Sequence, residues 1–193
     1  MPKRGRKRKD SPERIARERL EVLDDLGQVI AILPRGLIHQ QRLRHRAVHI
    51  FLFDSRGRLY LQKRAQTKDE NPGLWDSSAA GHVEPGEPPT VAARRELQEE
   101  LGLVCNLEEV LHLEPSPETG WEFVTLFVGF TSREPKPDPL EVEKGRFVSP
   151  EELERLLLQR PEEFTTTLKI LWRLFSERKK RNSNKRRVPS DYS

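Results

Sequence analysis

Residues 81–103 read GHVEPGEPPTVAARRELQEELGL, and the interpretation of the whole chain depends on this stretch. Residues 85–89 contain three prolines and a glycine, so they predict a loop. Residues 90–101 predict a helix that ends before Gly102, because glycine readily adopts the positive φ found at helix ends. Apolar residues of one helix face recur at four-residue steps: Ala93, Leu97 and Leu101.

The same helix carries three carboxylates on one face. Glu96, Glu99 and Glu100 stand at i, i+3 and i+4, and carboxylates held this close repel one another unless a cation lies between them. Mg²⁺ prefers oxygen ligands, which a carboxylate cluster and a substrate phosphate together supply. On an isolated surface helix, the same pattern is more often a solvated face, with Arg95 and Glu99 as an ordinary ion pair.

The spacing around the helix favours the cation site. Gly81 is followed after five residues by Glu87, and after seven more by the run RELQEELGL that begins at Arg95. This segment resembles the Nudix box, G-x5-E-x7-R-E-U-x-E-E-x-G-U, at every fixed position. The resemblance implies the α/β fold of that family, an α/β/α sandwich with a mixed β-sheet. It also implies a loop-helix-loop that binds Mg²⁺ or Mn²⁺ and the hydrolysis of a diphosphate linkage.

The resemblance implies a role for each matching residue. Arg95 is expected to orient the glutamates during catalysis, and Glu87 to tie the loop to the helix. Glu99 is expected either as a further ligand or as a carboxylate that orients water, and Glu100 as both ligand and catalytic residue. Bound cations would neutralise the diphosphate and lower the pKa of the attacking water. The expected metal ligands are the Gly81 carbonyl, Glu96, Glu99 and Glu100.

The flanks of the box are similar to a narrower branch, the type I isopentenyl-diphosphate isomerases, over residues 20–152. In that isomerase, the Arg and Lys of an R-A-x-x-K segment hold the substrate diphosphate, and Arg64 and Lys68 match them. Two cations next to a diphosphate make physical sense in any family. The segments that carry the resemblance are HRAVHIFLF at 45–53, RAQTK at 64–68, PGLWD at 72–76 and GH at 81–82.

The isomerase also binds metal through histidines. His45 and His82 match those positions, and His39 matches with a spacing one residue short. Metal binding and a packing role both stay open for these residues, because neutral imidazole suits either. Glu122 matches an acidic catalytic residue of the isomerase and is the first choice for the general base. The alternatives are Glu118, Glu141 and Glu143.

Two positions depart from the isomerase. Its chemistry needs a cysteine two residues before the histidine of the Gly-His step, to move a proton at carbon. That position is Ala80 here, and the only cysteine of the chain is Cys105. The position two residues before Glu122, acidic in the isomerase, is Gly120. We therefore expect the isomerase activity to be lost and hydrolysis to be retained.

Charge is distributed unevenly along the chain. Residues 1–20 carry a net charge of +6, and residues 173–193 carry another +6. Because the whole chain is +4, the 152 residues between them carry −8. A segment this acidic would bind a polyanion only through bound cations. The basic ends could bind nucleic acid, but a solubilising role is at least as good an explanation, since no aromatics alternate with the cations.

Hydrophobic patterning indicates one domain. Residues 47–53 and 58–64 flank an Asp-Ser-Arg-Gly turn and predict a hairpin. We divide the chain into a disordered basic tail at 1–19, a domain at 20–178 and a second disordered basic tail at 179–193. Further strands are predicted at residues 20–23, 28–33, 103–113 and 121–131, with a short strand or extended loop within 74–83.

Helices are predicted at the end of this domain. Ser149 is an N-cap, followed by proline and two glutamates. A last helix is expected from about residue 161 to near residue 178. Residues 34–43 are expected to link two strands, with one helical turn.

These features predict a magnesium-dependent hydrolase of a small diphosphate, such as a nucleoside di- or triphosphate or a nucleotide sugar. The alternatives are an isopentenyl-diphosphate delta-isomerase and a nucleotide-sensing module without turnover. The apolar runs are too short to span a bilayer and no secretory signal follows Met1, so we expect no membrane partner and a cytoplasmic location. The sequence does not indicate an oligomeric state.

Overall fold

The computed structural model describes residues 18–185, with side chains to residue 182. The basic stretches at 1–17 and 186–193 lie outside the described residues, so the predictions made for them stay predictions. In the described part, no helix combines the length and the apolar character needed to cross a membrane.

A seven-stranded sheet forms the centre of the molecule. Strands β3 (His45–Phe53) and β8 (Glu122–Phe130) run parallel at its middle, and the other pairings are antiparallel, so the sheet is mixed as predicted. A separate two-stranded sheet, formed by β1 (Arg19–Leu23) and β2 (Val29–Pro34), precedes it. The other strands of the large sheet are β4 (Leu59–Arg64), β5 (Trp75–Asp76), β6 (Ala79–His82), β7 (Leu107–Leu113) and β9 (Val142–Val148).

Helices cover both faces of the large sheet. On one face, α2 (Pro89–Leu101) buries Ala93, Leu97 and Leu101 as predicted, against a cluster that includes Ile50. On the other face, α3 (Pro150–Gln159) and α4 (Thr166–Lys185) pack on a second cluster that includes phenylalanines of β3 and α4. The molecule is therefore an α/β/α sandwich. This packing confirms the predicted fold class.

Several local predictions are confirmed by the backbone. The predicted hairpin is β3 and β4, closed by a turn in which Asp54 accepts hydrogen bonds from the following backbone. Gly102 ends α2 with φ of 65°, and the Ser149 side chain caps α3 by accepting from the Glu152 amide at 3.1 Å.

Three element boundaries differ from the prediction. The linking segment is a seven-residue helix, α1 (Arg35–Gln41). The last helix begins five residues late, because residues 161–163 form a 3-10 turn before an extended Phe164. It then continues to Lys185, past the predicted end near residue 178, since its basic residues favour helix and Arg181 pairs with Glu177 at 3.6 Å. Strand β9 was not predicted.

Candidate active site

A cavity of about 470 Å³ opens where α1, the end of β4, strand β6, α2 and the start of α4 meet. Its described lining contains seven acidic and four basic residues. Residues predicted for the site converge here, although they come from distant parts of the sequence. The lining includes Arg64, Lys68, Gly81, Arg95, Glu96 and Glu122, but not Glu87, Glu99 or Glu100.

Helix α2 turns its carboxylates toward strand β6. Glu96 and Glu100 are buried, with exposed fractions of 1% and 0%, and Glu99 is half-buried. The Glu100 Oε2 atom accepts hydrogen bonds at 3.1 Å from the Ala80 amide and from the Gln62 side chain. The solvated-face interpretation is thus wrong for two of the three glutamates, because burying a carboxylate without compensating partners is costly.

Arg95 and Glu87 lock the loop onto this helix. Arg95 donates to the two Glu87 carboxylate oxygens at 3.0 and 2.7 Å and to the His82 carbonyl at 3.0 Å. It also contacts Glu96 at 2.5 Å and Glu99 at 3.8 Å. Burial opposes the charge of Arg95, but the hydrogen bonds to Glu87 and the field of Glu96 outweigh burial and raise the pKa of the guanidinium. This geometry supports the orienting role expected for Arg95 and the tying role expected for Glu87.

Gly81 lies directly against the Glu96 carboxylate. A methyl group at this position would overlap all three atoms of the Glu96 carboxyl group, so the close approach requires glycine. The same contact brings the Gly81 backbone to the carboxylate face of α2. Buried carboxylates are oxygen ligands that suit a hard divalent cation such as Mg²⁺.

Arg64 and Lys68 line the cavity from the end of β4 and the loop that follows it. Arg64 donates to the Glu70 carbonyl at 3.0 Å and to Asp76 Oδ2 at 3.3 Å. Lys68 donates to Glu141 at 2.7 Å, and its side chain is 8% exposed. Both cations are therefore held in place on the cavity wall where they were predicted to bind phosphate.

The structure also brings together His39, His45 and His82. Their ring centroids are 5.0, 5.0 and 5.1 Å apart, and one nitrogen from each lies within 4.8 Å of the others. Glu122 approaches His45 Nε2 at 3.6 Å and His82 Nε2 at 3.5 Å. We call these four residues the histidine cluster.

The ring orientations fit a cation in the histidine cluster. His45 Nδ1 lies 2.9 Å from the Leu43 carbonyl, which can only accept, so this nitrogen carries the proton and Nε2 of a neutral ring presents a lone pair. The Nε2 atoms of His45 and His39 are buried and make no hydrogen bond within the described residues. A lone pair that faces the Glu122 carboxylate is repulsive unless a cation lies between them.

Protonation in the histidine cluster is uneven. Burial and the neighbouring His82 lower the pKa of His39 to about 3. Burial opposes charging of His82, but hydrogen bonds to Glu122 and Glu18 outweigh it and raise the pKa to about 9. Burial raises the Glu122 pKa, but the neighbouring His45 and His82 side chains more than offset this effect and hold it well below its usual value. A proton on His82 thus places a positive charge between the carboxylates of Glu18 and Glu122, as a metal ion would. Imidazole and carboxylate ligands together suit a transition-metal cation.

The candidates for the general base lie in different places. Glu122 lies beside His45 because the parallel register of β3 and β8 pairs these two residues. Glu118 lines the cavity. Glu141 is engaged by Lys68, and Glu143 pairs with Lys63 at 3.4 Å.

Three residues of the site were not predicted from the sequence. Glu18 accepts from His82 Nδ1 at 3.3 Å and from Arg35 at 3.1 Å, although it lies in a segment predicted to be a disordered tail. Arg35 is buried in what was predicted as a linker. Glu70 was overlooked, although it lies only two residues after Lys68. Only this last position had a sequence signal, an acidic pair directly after the R-A-x-x-K segment.

Comparison with known proteins agrees with this geometry. Residues 43–168 match the family model described as the NUDIX domain. The chain belongs to this family. An isopentenyl-diphosphate Delta-isomerase of Streptomyces griseus is 43% identical over 142 residues, which cover 69% of this chain and 72% of that protein. Another, from Serratia proteamaculans, is 36% identical over 153 residues, covering 77% and 86%. These similarities place the chain in the branch of Nudix proteins that resembles isopentenyl-diphosphate isomerase.

A solved structure supports the same fold. DR0079 from Deinococcus radiodurans superposes with a TM-score of 0.70 and 27% identity, and the match covers 81% of this chain and 98% of that one. This Nudix chain therefore has the fold and the family features of a protein that acts on diphosphates. Ala80 stands where the isomerase pattern requires a cysteine, and the cysteine of this chain is Cys105. The Cys105 side chain packs against the cluster under α2 and is absent from the cavity lining.

Proposed function

We propose that this Nudix protein is a magnesium-dependent hydrolase that cleaves the diphosphate linkage of a small nucleoside di- or triphosphate or a related organic diphosphate. The observation that carries the proposal is the meeting of two groups in one cavity. Glu96 of the α2 carboxylate face and Gly81 line this cavity together with Arg64 and Lys68. Water would attack one phosphorus atom, and the other phosphate would leave.

Each group has a separate task in this reaction. Glu96, Glu99, Glu100 and the Gly81 carbonyl would hold Mg²⁺ or Mn²⁺, which supplies charge neutralisation and a more acidic water when bound. Arg64 and Lys68 would bind and orient the phosphates, since both present cations that are already fixed by carboxylates. Arg95 and Glu87 would hold the glutamates of α2 in position. Glu122 or Glu118 would accept the proton of the attacking water.

The rival activity is diphosphate isomerisation, which the names of the Streptomyces and Serratia relatives favour. That reaction moves a proton at an alkene carbon and needs a group to deliver it. Ala80 cannot do so, and Cys105 packs against the cluster under α2, outside the cavity lining, where burial raises the pKa of its thiol. The positioned acid that the reaction requires is therefore not provided by a thiol.

The polar side chains of the cavity wall also favour a polar substrate. Thr165 donates to Asp76 at 2.9 Å, and His49 is hydrogen-bonded to Ser77 at 2.7 Å. Thr166 and Thr167 continue this wall at the start of α4. Hydroxyls and carboxylates on this wall suit a sugar or another hydrogen-bonding group better than an isoprenoid chain, which would shield them from water without offering hydrogen bonds.

The test is a substrate panel read by product identity. Nucleoside diphosphates, triphosphates, nucleotide sugars and dinucleotides are incubated with protein and Mg²⁺, and ³¹P NMR identifies the released phosphates. Isopentenyl diphosphate is included, with dimethylallyl diphosphate as the product sought. We expect ¹⁸O from labelled water in one phosphate product. Formation of the dimethylallyl isomer without hydrolysis would establish the rival activity.

A matched pair of variants links turnover to the carboxylate face. Glu100→Gln removes a buried ligand while keeping the side-chain shape, so turnover should fall at least about a hundredfold, as is common when a charge-stabilising group is lost. Glu108→Gln, on the exposed side of β7, makes the same chemical change and should leave turnover unaltered. Nucleotide binding without release of any phosphate, in wild type with Mg²⁺ or Mn²⁺, would point instead to a sensing module.

A further inference from the structure

The histidine cluster has a neighbouring carboxylate that the sequence did not assign to it. Glu70 lies in the loop between β4 and β5, and its Oε1 is 3.3 Å from His39 Nδ1. A Glu70 oxygen also lies within 4.8 Å of the possible ligand atoms of His82 and Glu122. Glu70 therefore lies beside the same point as Glu122 and the imidazoles.

Helix α1 holds this loop in position. Arg35 donates from one nitrogen to both oxygens of Asp69, at 2.7 and 2.9 Å. One helical turn later, His39 meets Glu70. Asp69 and Glu70, which are adjacent in the loop, thus contact Arg35 and His39. These two helix residues stand at i and i+4 and so project from the same side of α1. Glu70 reaches the histidine cluster through specific docking of the loop.

The charges at this point call for a cation. Two carboxylates, Glu70 and Glu122, converge on a cluster in which His45 Nε2 is buried and makes no hydrogen bond within residues 18–185. The His45 proton is committed to the Leu43 carbonyl, so the ring adds a lone pair to two negative groups. Carboxylates that share a site repel one another unless a positive charge lies between them. Gly120, two residues before Glu122, has no side chain that could contribute a ligand.

We propose that Glu70 is a ligand of a divalent transition-metal cation in the histidine cluster and supplies its second carboxylate beside Glu122. His39 would bind through Nε2, while its Nδ1–H is directed at Glu70. Glu70 lies on the loop that also carries Lys68 and begins next to Arg64. The cation would therefore fix the phosphate-binding loop against α1. This assignment does not rest on hydrolysis, because a cation in the histidine cluster is compatible with either reaction.

Metal affinity tests the proposal without reference to turnover. Zn²⁺ is titrated into the full chain in competition with a chromophoric chelator, with excess Mg²⁺ present to occupy the carboxylate face of α2. Glu70→Gln should weaken Zn²⁺ binding by about 10- to 100-fold, the range found when groups around a metal site are removed. Glu108→Gln makes the same chemical change on the exposed side of β7 and should bind Zn²⁺ nearly as tightly as wild type.

Two further measurements guard against misfolding and against binding elsewhere. His45→Ala should lose tight Zn²⁺ binding, and X-ray absorption of the Zn²⁺ complex should show one oxygen or nitrogen ligand fewer in Glu70→Ala than in wild type. Circular dichroism verifies that each variant is folded. Unchanged affinity in Glu70→Gln overturns the proposal, as does an equal loss in Glu108→Gln or tight binding by His45→Ala. None of these outcomes depends on whether the protein hydrolyses diphosphates.

Discussion

At the residue level, Gly81 controls the carboxylate face because no other residue leaves room for Glu96. Gly81→Ala should displace the Glu96 carboxylate, since the added methyl group would overlap it. We expect the concentration of Mg²⁺ required for half-maximal turnover to rise at least about tenfold, equivalent to about 1.4 kcal/mol of binding free energy. The measurement is turnover against Mg²⁺ concentration.

The control for this change is Gly36→Ala in α1. A methyl group at Gly36 would meet no atom within 4 Å, so both folding and turnover should be retained. A wild-type response to Mg²⁺ in Gly81→Ala would contradict the role assigned to this contact.

Arg64 offers a second prediction at this level. Arg64→Ala removes a guanidinium from the cavity wall, and hydrogen bonds that involve charged groups contribute about 1.5 to 3 kcal/mol. KM for the diphosphate substrate should therefore rise roughly 10- to 100-fold, with a smaller change in kcat, because the interaction already exists in the ground state. Steady-state kinetics measure both constants.

Arg56→Ala is the matched control, since Arg56 lies on the exposed turn between β3 and β4. Its KM should equal that of wild type. An unchanged KM in Arg64→Ala would exclude phosphate binding by this residue.

At the level of elements, the turn between β3 and β4 depends on one carboxylate. Asp54 accepts from the Arg56 and Arg58 amides at 2.9 Å and from the Arg58 guanidinium at 2.7 Å. Desolvation acts in the opposite direction, but these bonds lower the pKa of Asp54 below its usual 3.8. A lowered pKa in the folded state means stability that is present above about pH 4 and is lost as the pH falls through the folded-state value.

Asp54→Ala should therefore lower Tm at pH 7. The difference from wild type should shrink as the pH falls below the usual pKa of aspartate, because the carboxylate is then protonated in the unfolded state, and it should vanish once the folded state is protonated as well. Thermal melts of both proteins between neutral and acidic pH measure this convergence. Asp25→Ala, on an exposed turn, is a suitable control for a simple change of net charge. A Tm difference that does not vary with pH would show that the charge of Asp54 is not responsible.

Local sequence patterns predicted some elements and not others for physical reasons. The β3–β4 hairpin and helix α2 have unbroken apolar periodicity and clear ends, so residues close in sequence determine them. Strand β9 has three charged residues among its seven, which breaks the apolar alternation, and it has Gly145 at its centre, where glycine weakens a strand signal. Gly145 is required because a methyl group there would overlap the Tyr60 ring, a contact between strands that no local pattern reveals.

The same distinction applies to the site. The Nudix box places its own residues within one loop and one helix, so the carboxylate face could be predicted from spacing. Glu18, Arg35 and Glu70 come from three separate segments, and only tertiary packing brings them to the cavity. The roles of all these residues in catalysis and metal binding stay predictions that the variants above address.

At the level of the whole molecule, charge links cation binding to stability. Seven acids and four bases line the cavity in the described part, so a divalent cation relieves repulsion in the folded state. Mg²⁺ at about a hundred times its Kd should stabilise the fold by about 2.7 kcal/mol, which raises Tm by roughly 5 to 10 °C for a chain of this size. Differential scanning fluorimetry with and without Mg²⁺ measures this shift.

The double variant Glu96→Gln and Glu100→Gln should lose this shift, and Glu108→Gln should keep it. An equal rise in Tm in the double variant would mean that Mg²⁺ stabilises the protein elsewhere. The experiment needs no substrate, so it can be done before the substrate is known.

Strand β6 has a consequence for how this protein can change during evolution. Within its four residues, the Ala80 amide bonds to Glu100, Gly81 packs on Glu96, and His82 meets Glu18 and Glu122. Insertion or deletion of a single residue would exchange the two sides of the strand. It would therefore misalign the carboxylate face of α2 and the histidine cluster at once. The loops that frame the cavity can lengthen and diversify toward new substrates, whereas the length of this strand must stay constant.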